Sequence, residues 1–244
     1  MAKYKGQGNS VLAESPAKEL ATASDFGGGF SVHGKDDAGS NLSRLSLYQG
    51  TAEEAAMYGD HPRGAFLDAL EIRELGDKVK IMPVFAFARY SVWEQGQRIP
   101  VQTWDDQKDV PPDLLQWGEE NGKRVPPKAQ ESVNLICCVE GEQWPYLVVF
   151  KRTGLKCFQR TINPLEGRRA AIGKCPGLYE LSSIDDKDPN GKPYKRLTAR
   201  PIGDPPEDMV ALALKVFKAQ QTVREKATGL SDEHQPSPDG ELPE

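Results

Sequence analysis

Basic and aromatic side chains occur together in the second half of this sequence. The stretch PYLVVFKRTGLKCFQR starts with an apolar run and then contains Lys151, Arg152, Lys156, Phe158 and Arg160. Lysine and arginine attract phosphate groups, and an aromatic ring can stack on an unpaired base. In a strand that continues through residues 150–160, alternation would project several of these side chains from one sheet face. The pattern predicts a phosphate-binding edge that begins at Lys151.

Two more basic groups follow the first one. They contain Arg168, Arg169 and Lys174, and then Tyr194, Lys195 and Arg196. Residues 143–200 hold 12 Lys/Arg and 5 Asp/Glu, a balance of +7, in a chain whose net charge is −5. A basic segment within an acidic protein indicates a negatively charged partner for that segment.

The aromatic residues allow a second interpretation. Phe158 and Tyr194 fit a buried core as well as they fit a base-stacking surface, and Phe150 fits the core better. The basic side chains would then be the solvated edge of a strand. The four tryptophans are more typical of partly buried anchors than of stacking platforms: Trp93, Trp104, Trp117 and Trp144.

The acidic residues are concentrated elsewhere in the chain. Residues 50–142 hold 10 Lys/Arg and 17 Asp/Glu, and residues 231–244 hold five Asp/Glu with no Lys or Arg. An acidic region of this size supports an alternative function, a protein-interaction module such as a viral inhibitor that mimics nucleic acid and binds a host enzyme. The terminal segment SDEHQPSPDGELPE has the composition of a disordered acidic tail.

Patterns that would indicate catalysis are weak. His33, His61 and His234 fall in a Gly-rich arm, a turn and the tail, where no rigid base is expected. No GxSxG, HExxH, P-loop or EF-hand pattern occurs in the sequence. A nuclease could hold Mg²⁺ with Asp105, Asp106, Asp109 and Asp113, but their polar loop is more typical of a solvated surface. We therefore expect a protein that is not an enzyme, with no metal and no cofactor.

The four cysteines predict no metal site. Cys137, Cys138, Cys157 and Cys175 form no CxxC pair. Adjacent Cys137 and Cys138 in a strand point to opposite faces, so they are poorly placed to share an ion. We expect buried free thiols, because an unpaired cysteine behaves as a small apolar residue.

The elements that must position the basic residues are mainly strands. Alternating or apolar runs predict them at 42–49, 77–94, 132–140, 143–151, 178–184 and 194–201. In the second run, alternation puts Val79, Ile81, Phe85 and Phe87 on one face, and Pro83 predicts an edge position or a bulge. Helical segments are expected at 53–58 and 163–172, with at most a short helix near 112–120, and the clearest helix is expected at 204–226, where Asp204 can cap it.

These elements predict one mainly β domain with flexible ends. We expect a flexible arm at 1–41, a domain at 42–228 that includes a long insertion at 95–130 and the helix at 204–226, and a disordered acidic tail at 229–244. No run of about 18 apolar residues and no apolar signal segment occurs, which favours a cytoplasmic protein without a membrane contact.

One protein family shares this order of segments. The series RLSLYQG, HPRGAF, IMPVFAFARYSVWE, NLICCVEG, PYLVVFKRTGLK, LYELSS and YKRLTARPIG, followed by a helix, resembles bacteriophage single-stranded DNA-binding proteins of the OB-fold type over residues 42–222. The resemblance implies an OB-like five-stranded barrel that binds single-stranded DNA without sequence preference. Its groove would carry Lys151, Arg152, Lys156 and residues 194–196.

The same resemblance implies a place for the acidic tail. Such proteins act in phage-type DNA replication or recombination in the cytoplasm of a bacterial host cell, and they can form homo-oligomers. Their acidic tails contact replication or recombination proteins. The corresponding carboxylates here are Asp232, Glu233, Asp239, Glu241 and Glu244.

Overall fold

The structure is a computed structural model that describes residues 32–33, 42–94, 100–120, 122–188 and 191–232. Its strands are β1 Val32–His33, β2 Ser43–Leu47, β3 Phe66–Asp68, β4 Arg73–Gly76, β5 Lys78–Val92, β6 Gln102–Trp104, β7 Gly118–Glu120, β8 Lys123–Val125, β9 Ala129–Val139, β10 Pro145–Lys151, β11 Leu178–Lys187 and β12 Pro193–Gly203. Its helices are α1 Ala52–Tyr58, α2 Thr153–Cys157, α3 Asn163–Ala171 and α4 Glu207–Asp232, with a π-helical turn Phe158–Ile162 joining α2 to α3. The prediction of a mainly β fold is confirmed.

The main sheet is strongly curled into a half-barrel. Its strands follow the order β12-β11-β5-β9-β10-β2-β3-β4, and both β1 and β6 pair with β5. Neighbours are antiparallel except in the pairs β10–β2 and β1–β5. The twist of each strand accumulates across so many neighbours, so the two ends of the sheet turn towards each other.

Side-chain contacts hold the edge strand β12 against the segment that follows β2. The Gln49 amide accepts a hydrogen bond from the Lys195 backbone N–H at 2.8 Å and donates one to its carbonyl at 2.9 Å. Nearby, the Ser183 hydroxyl donates to the Gly64 carbonyl at 3.3 Å. A Cβ at Gly64 would lie 2.7 Å from Ser183 Oγ, and its φ of +95° also favours glycine. The approach of the two segments therefore depends on glycine at this position.

Residues 153–171 form a helical segment on the concave side of the sheet. The prediction that a strand continues through 150–160 is wrong after Lys151, because Arg152 turns the chain with a φ of 52°. Phe158 is 1% exposed, and its ring centroid lies 5.4 Å from that of Phe150. Of the two interpretations of Phe158, the structure fits the core residue and not the ring that stacks on a base. The prediction of a helix at 163–172 is confirmed by α3.

The two faces of β5 differ from the predicted alternation because the strand contains a bulge. Its register with β9 shifts between Pro83 and Phe85, which confirms a bulge, but β5 lies inside the sheet and not at its edge. After the bulge, Phe85 and Phe87 pack on the α4 side with Met82, whereas Ile81 packs on the concave side with Ala86. One extra residue moved the aromatic pair to the other face.

The cysteine prediction agrees with the two cores. Cys137 belongs to the concave core and Cys138 to the core under α4, and both are fully buried free thiols. Cys157 and Cys175 are also free, but they are only partly buried. Burial raises the pKa of Cys138 to about 12, so its thiol stays protonated at neutral pH.

Several predicted boundaries moved. The two hairpins are confirmed as β9–β10 and β11–β12, and the last helix begins at Glu207 and continues to Asp232, beyond the predicted end. The short helix predicted near 112–120 is limited to one 3₁₀ turn, Pro112–Leu114, which the β7–β8 hairpin follows. Residues 1–31, 34–41 and 233–244, and so most of the predicted arm and tail, lie outside the described residues. None of the helices in the described part has the length and apolar character to cross a membrane.

Candidate functional site

A groove lies where the loop between β11 and β12 meets the turn after β10 and the segment around α1. Its volume is about 720 Å³, and we call it the loop groove. It is lined by Gln49, Gly50, Thr51, Ala52, Arg63, Arg152, Thr153, Lys187, Asp188, Lys192, Pro193 and Tyr194. Four of these residues are basic and one is acidic. A concave surface with this charge balance concentrates the field of its cations on an anionic ligand.

The cations of the loop groove have no acidic partners among the residues that the structure describes. Among the described residues, no carboxylate lies within 4 Å of the charged groups of Arg63, Arg152, Lys187 or Lys192. The guanidinium of Arg152 donates instead to the Gln130 side-chain oxygen at 3.4 Å. All four side chains are exposed. Their hydrogen-bond donors are available to phosphate oxygens, to which charge-assisted bonds are short and strong.

The backbone of Arg152 is unusual for a residue with a side chain. It adopts a φ of 52° and a ψ of −118° between β10 and α2, a conformation that glycine adopts most easily. Such a conformation costs on the order of 1–3 kcal/mol, and it persists where the surrounding fold imposes it. Here it directs the chain from the end of β10 into α2 and places Arg152 in the lining of the loop groove.

The basic residues on β12 have a different environment. Lys195 Nζ lies 3.1 Å from a carboxylate oxygen of Asp185, directly opposite on β11, and Arg196 Nε lies 2.9 Å from one of Asp186. Arg200 pairs with Glu180 at 3.2 Å. The prediction placed residues 194–196 together in a binding groove, but only Tyr194 lines the loop groove. The charges of its two neighbours are balanced by cross-strand acids.

Tyr194 is held in place at the wall of the loop groove. Its hydroxyl donates to Asp186 Oδ2 at 3.1 Å, and the residue is half-buried. Because the same carboxylate also contacts Arg196, the ring is fixed from one side and open to the groove on the other. A fixed, partly exposed ring loses little conformational entropy when a planar ligand stacks on it.

Arg169 connects α3 to the loops on either side of the last two strands. Its guanidinium donates to the Cys175 carbonyl at 2.9 Å and to Asp204 Oδ1 at 2.6 Å. Next to it, the buried Glu166 accepts hydrogen bonds from the Tyr179 hydroxyl at 2.6 Å and the Gly177 N–H at 2.9 Å. Burial raises the pKa of Glu166 although these bonds oppose the shift. The contacts of Arg169 are those of a structural residue.

The other predicted binding residues do not line the loop groove. Lys156, Arg160, Arg168 and Lys174 are exposed along or just after the helical segment. Of the eleven residues predicted to bind nucleic acid, Arg152 and Tyr194 line the loop groove. Lys151 is next to Arg152 in the chain, but it faces a different neighbour.

Lys151 lies beside an exposed tryptophan. Its ammonium is 5.9 Å from the centroid of the Trp93 ring, and Trp93 is 46% exposed. Partial desolvation lowers the pKa of Lys151, and the charges of Arg152 and Arg44 lower it further.

Two other tryptophans are also exposed. Trp117 and Trp144 are 56% and 71% exposed, so together with Trp93 the anchor interpretation is wrong for three of the four tryptophans.

The sequence interpretation missed three cations of the loop groove. Lys187 and Lys192 flank a turn whose Asn-Gly pair predicts a hairpin, and this signal carries no information about binding. Arg63 follows α1 and has no local pattern around it. The net charge of residues 186–192 would not have identified Lys187 and Lys192 either, because Asp186 and Asp188 balance these two lysines.

The acidic cluster of the insertion contacts its own surroundings. Asp105 accepts a hydrogen bond from the Arg89 guanidinium at 3.2 Å, and Asp106 caps the 3₁₀ turn Gln107–Asp109. Within the part of the chain that the structure describes, no group of three or more His, Cys, Asp or Glu side chains is arranged to hold a metal ion.

Comparisons of the chain with protein-family models, curated proteins and solved structures found no match.

Proposed function

We propose that this protein binds single-stranded DNA in the loop groove without general sequence preference. The observation that carries the proposal is the grouping of Arg63, Arg152, Lys187 and Lys192, without carboxylate partners in the described residues, around the fixed ring of Tyr194. Phosphates bind the cations and an unpaired base stacks on the ring. Neither interaction depends on which base is present.

The strand order supports an OB-like barrel as the framework of this site. Counted from β5, the strands β5, β9, β10, β11 and β12 form a unit in which the first pairs with the second and the fourth, and the fourth with the fifth. A helical segment connects the third strand to the fourth. OB folds are partly open five-stranded barrels that bind oligonucleotides on strands 2–3 and on the loops after strands 1 and 4. The loop groove includes the loop after the fourth strand.

The size of the loop groove suits a short piece of a single strand. Its volume of about 720 Å³ lies within the range of small-molecule sites, roughly 300–1,000 Å³. It therefore holds a few nucleotide groups and not a duplex, whose bases are paired and offer no free face to Tyr194. Preference for unpaired DNA follows from the aromatic contact, and salt dependence follows from the cations.

Fluorescence anisotropy with a labelled oligo(dT) of about 16 nucleotides tests this proposal, because OB folds cover roughly 4–16 nucleotides. Affinity should fall steadily between about 50 and 200 mM salt, with a log–log slope of roughly −0.7 for each phosphate neutralised. A duplex of the same length is the control and should bind more weakly. Absence of binding at low salt, or an affinity that does not change with salt, would overturn the proposal.

The wider role follows from the family resemblance and not from the geometry of the site. We propose action in phage-type replication or recombination, with partner proteins bound by the acidic tail, whose residues 233–244 lie outside the described part. If a host protein is retained after nuclease treatment and no oligonucleotide binds, the interaction-module alternative is supported instead.

A further inference from the structure

A second cavity shares Arg152 with the loop groove. It has a volume of about 470 Å³ and lies between the 126–131 segment, the insertion and the start of α2. Its apolar walls include Leu115, Pro126 and Pro127, and its polar lining includes Gln130, Glu131 and Arg152. We call it the proline pocket. Arg152 lines both cavities, so the proline pocket and the loop groove adjoin at this residue.

Glu131 is the unusual residue of the proline pocket. It lies on β9 opposite Tyr90 of β5, and its side chain is half-buried. Among the described residues, its carboxylate has neither an ion pair nor a hydrogen bond from a side chain. A partly buried carboxylate without a donor is unfavourable compared with the same group in water. A ligand that brings an N–H donor would remove this deficit.

The lining of the proline pocket matches one class of planar ligand. Prolines and a leucine offer flat apolar contact to a ring, while Glu131 offers only acceptor oxygens at neutral pH. Cytosine presents an amino group, for which Asp and Glu are suitable acceptors. Thymine presents a carbonyl oxygen at the same position, and that oxygen would be repelled by the carboxylate. The volume accommodates a nucleobase with part of its sugar, and it is near the lower end of the range for ligand sites.

We propose that the proline pocket takes one nucleobase with an exocyclic amino group from a strand held in the loop groove, and that Glu131 accepts a hydrogen bond from this amino group. The inference rests on the proposed function and adds one base-selective position to it. The phosphate that follows this base binds Arg152. The strand is therefore bound without sequence preference along the loop groove and with preference for an aminated base at a single position.

Anisotropy with two matched strands tests the inference. One is oligo(dT) of about 16 nucleotides, and the other is oligo(dC) of the same length. The oligo(dC) strand should bind at least about fivefold more tightly, since a good base contact discriminates by roughly 1–3 kcal/mol. In Glu131→Gln the preference should disappear while affinity for oligo(dT) is unchanged or higher, because an amide can also donate to thymine. Glu119→Gln, an exposed carboxylate on β7, is the matched control and should keep the preference.

The outcomes separate the pocket from the function as a whole. Equal affinity for the two strands, or a preference that survives in a Glu131→Gln variant that melts no lower than the wild type, overturns the proline pocket and leaves oligo(dT) binding intact. Free dCMP supplies the last arm. If dCMP binds equally well with and without saturating oligo(dC), the bound strand does not fill the pocket and the proposal is overturned. Failure of both strands to bind defeats the proposed function as well.

Discussion

Strand β12 and the loop groove lie side by side, and their cations differ in whether a carboxylate lies next to them. Lys195, Arg196 and Arg200 each lie near a carboxylate of β11. Arg63 and Lys192 have no such neighbour among the described residues. Exposed pairs contribute only about 0–1 kcal/mol each, but they hold the side chain near its partner and cancel its charge. A count of basic residues along a segment therefore does not separate cations that are paired with acids from cations that are not, and only the latter are free to bind the anionic ligand that we propose.

Substitution of an aromatic residue, in the concave core or at the loop groove, should give the largest change in stability or in binding. Phe158→Ala removes a ring that is 1% exposed in the concave core, so it should lower stability by about 3–5 kcal/mol. Tyr194→Ala should instead weaken oligo(dT) binding by about 1–3 kcal/mol, because it removes a stacking surface. Thermal unfolding followed by circular dichroism, and anisotropy below the melting transition, measure the two effects. An unchanged melting temperature in Phe158→Ala would contradict the core assignment.

Charge removal in pairs tests the comparison directly. The double variant Arg152→Gln and Lys192→Gln should reduce the salt slope of oligo(dT) binding by about 1.4, since each phosphate contact to a single strand contributes roughly 0.7. The matched control Arg196→Gln and Arg200→Gln removes the same formal charge from β12 and should leave the slope nearly unchanged. Equal losses in the two double variants would show that pairing on β12 does not prevent contact with DNA.

The sheet could largely be predicted from sequence, and the helical segment could not. Strands such as β9 and β10 are strongly apolar and are separated by a short turn, so local pattern is sufficient. After Lys151, the basic residues look like a charged strand edge. The signal that was missed is the spacing of Leu155, Phe158, Ile162 and Leu165, which recurs every three or four residues as in a helix and packs into the concave core.

The loop groove could not be predicted, because it is assembled by the curl of the sheet. Gln49 and Lys195, whose hydrogen bonds hold its two sides together, are 146 residues apart in the chain. Arg63 and Lys192, which line the same groove, are also far apart in the chain. Local sequence also gives no information on which cations are paired, since the acids that balance β12 lie on β11 and depend on the register of the hairpin.

Removal of the acids on β11 should convert β12 into a binding surface. In the double variant Asp185→Asn and Asp186→Asn, Lys195 and Arg196 lose their partners, so affinity for oligo(dT) at low salt should rise a few-fold and the salt slope should steepen by at most about 1.4. Glu180→Gln is the control, because its partner Arg200 lies towards the far end of β12 from the loop. No change in the double variant would mean that β12 is too far from the path of the strand.

Glu131 and Glu166 differ in their hydrogen-bond partners as the cations of β12 and the loop groove differ in their acidic partners. Substitution of these acids has the smallest expected effect, a change in melting temperature. Burial raises the pKa of both carboxyls above the ordinary value of 4.5, but within the described part of the chain only Glu166 accepts hydrogen bonds, from Tyr179 and Gly177. Because the folded state holds the Glu131 proton more tightly than the unfolded state does, stability falls as pH rises from 4.5 through the raised value. Glu131→Gln removes this loss, so its melting temperature should exceed that of the wild type by up to about 4 °C at pH 7 and by less at pH 4.5. Glu166→Gln also removes a buried acid, but the acid that it removes accepts two hydrogen bonds, so that variant should gain less stability at pH 7 than Glu131→Gln does. Thermal unfolding across this pH range measures both, and a Glu131→Gln variant that is less stable than the wild type at pH 7 would show that the carboxylate has a stabilising partner.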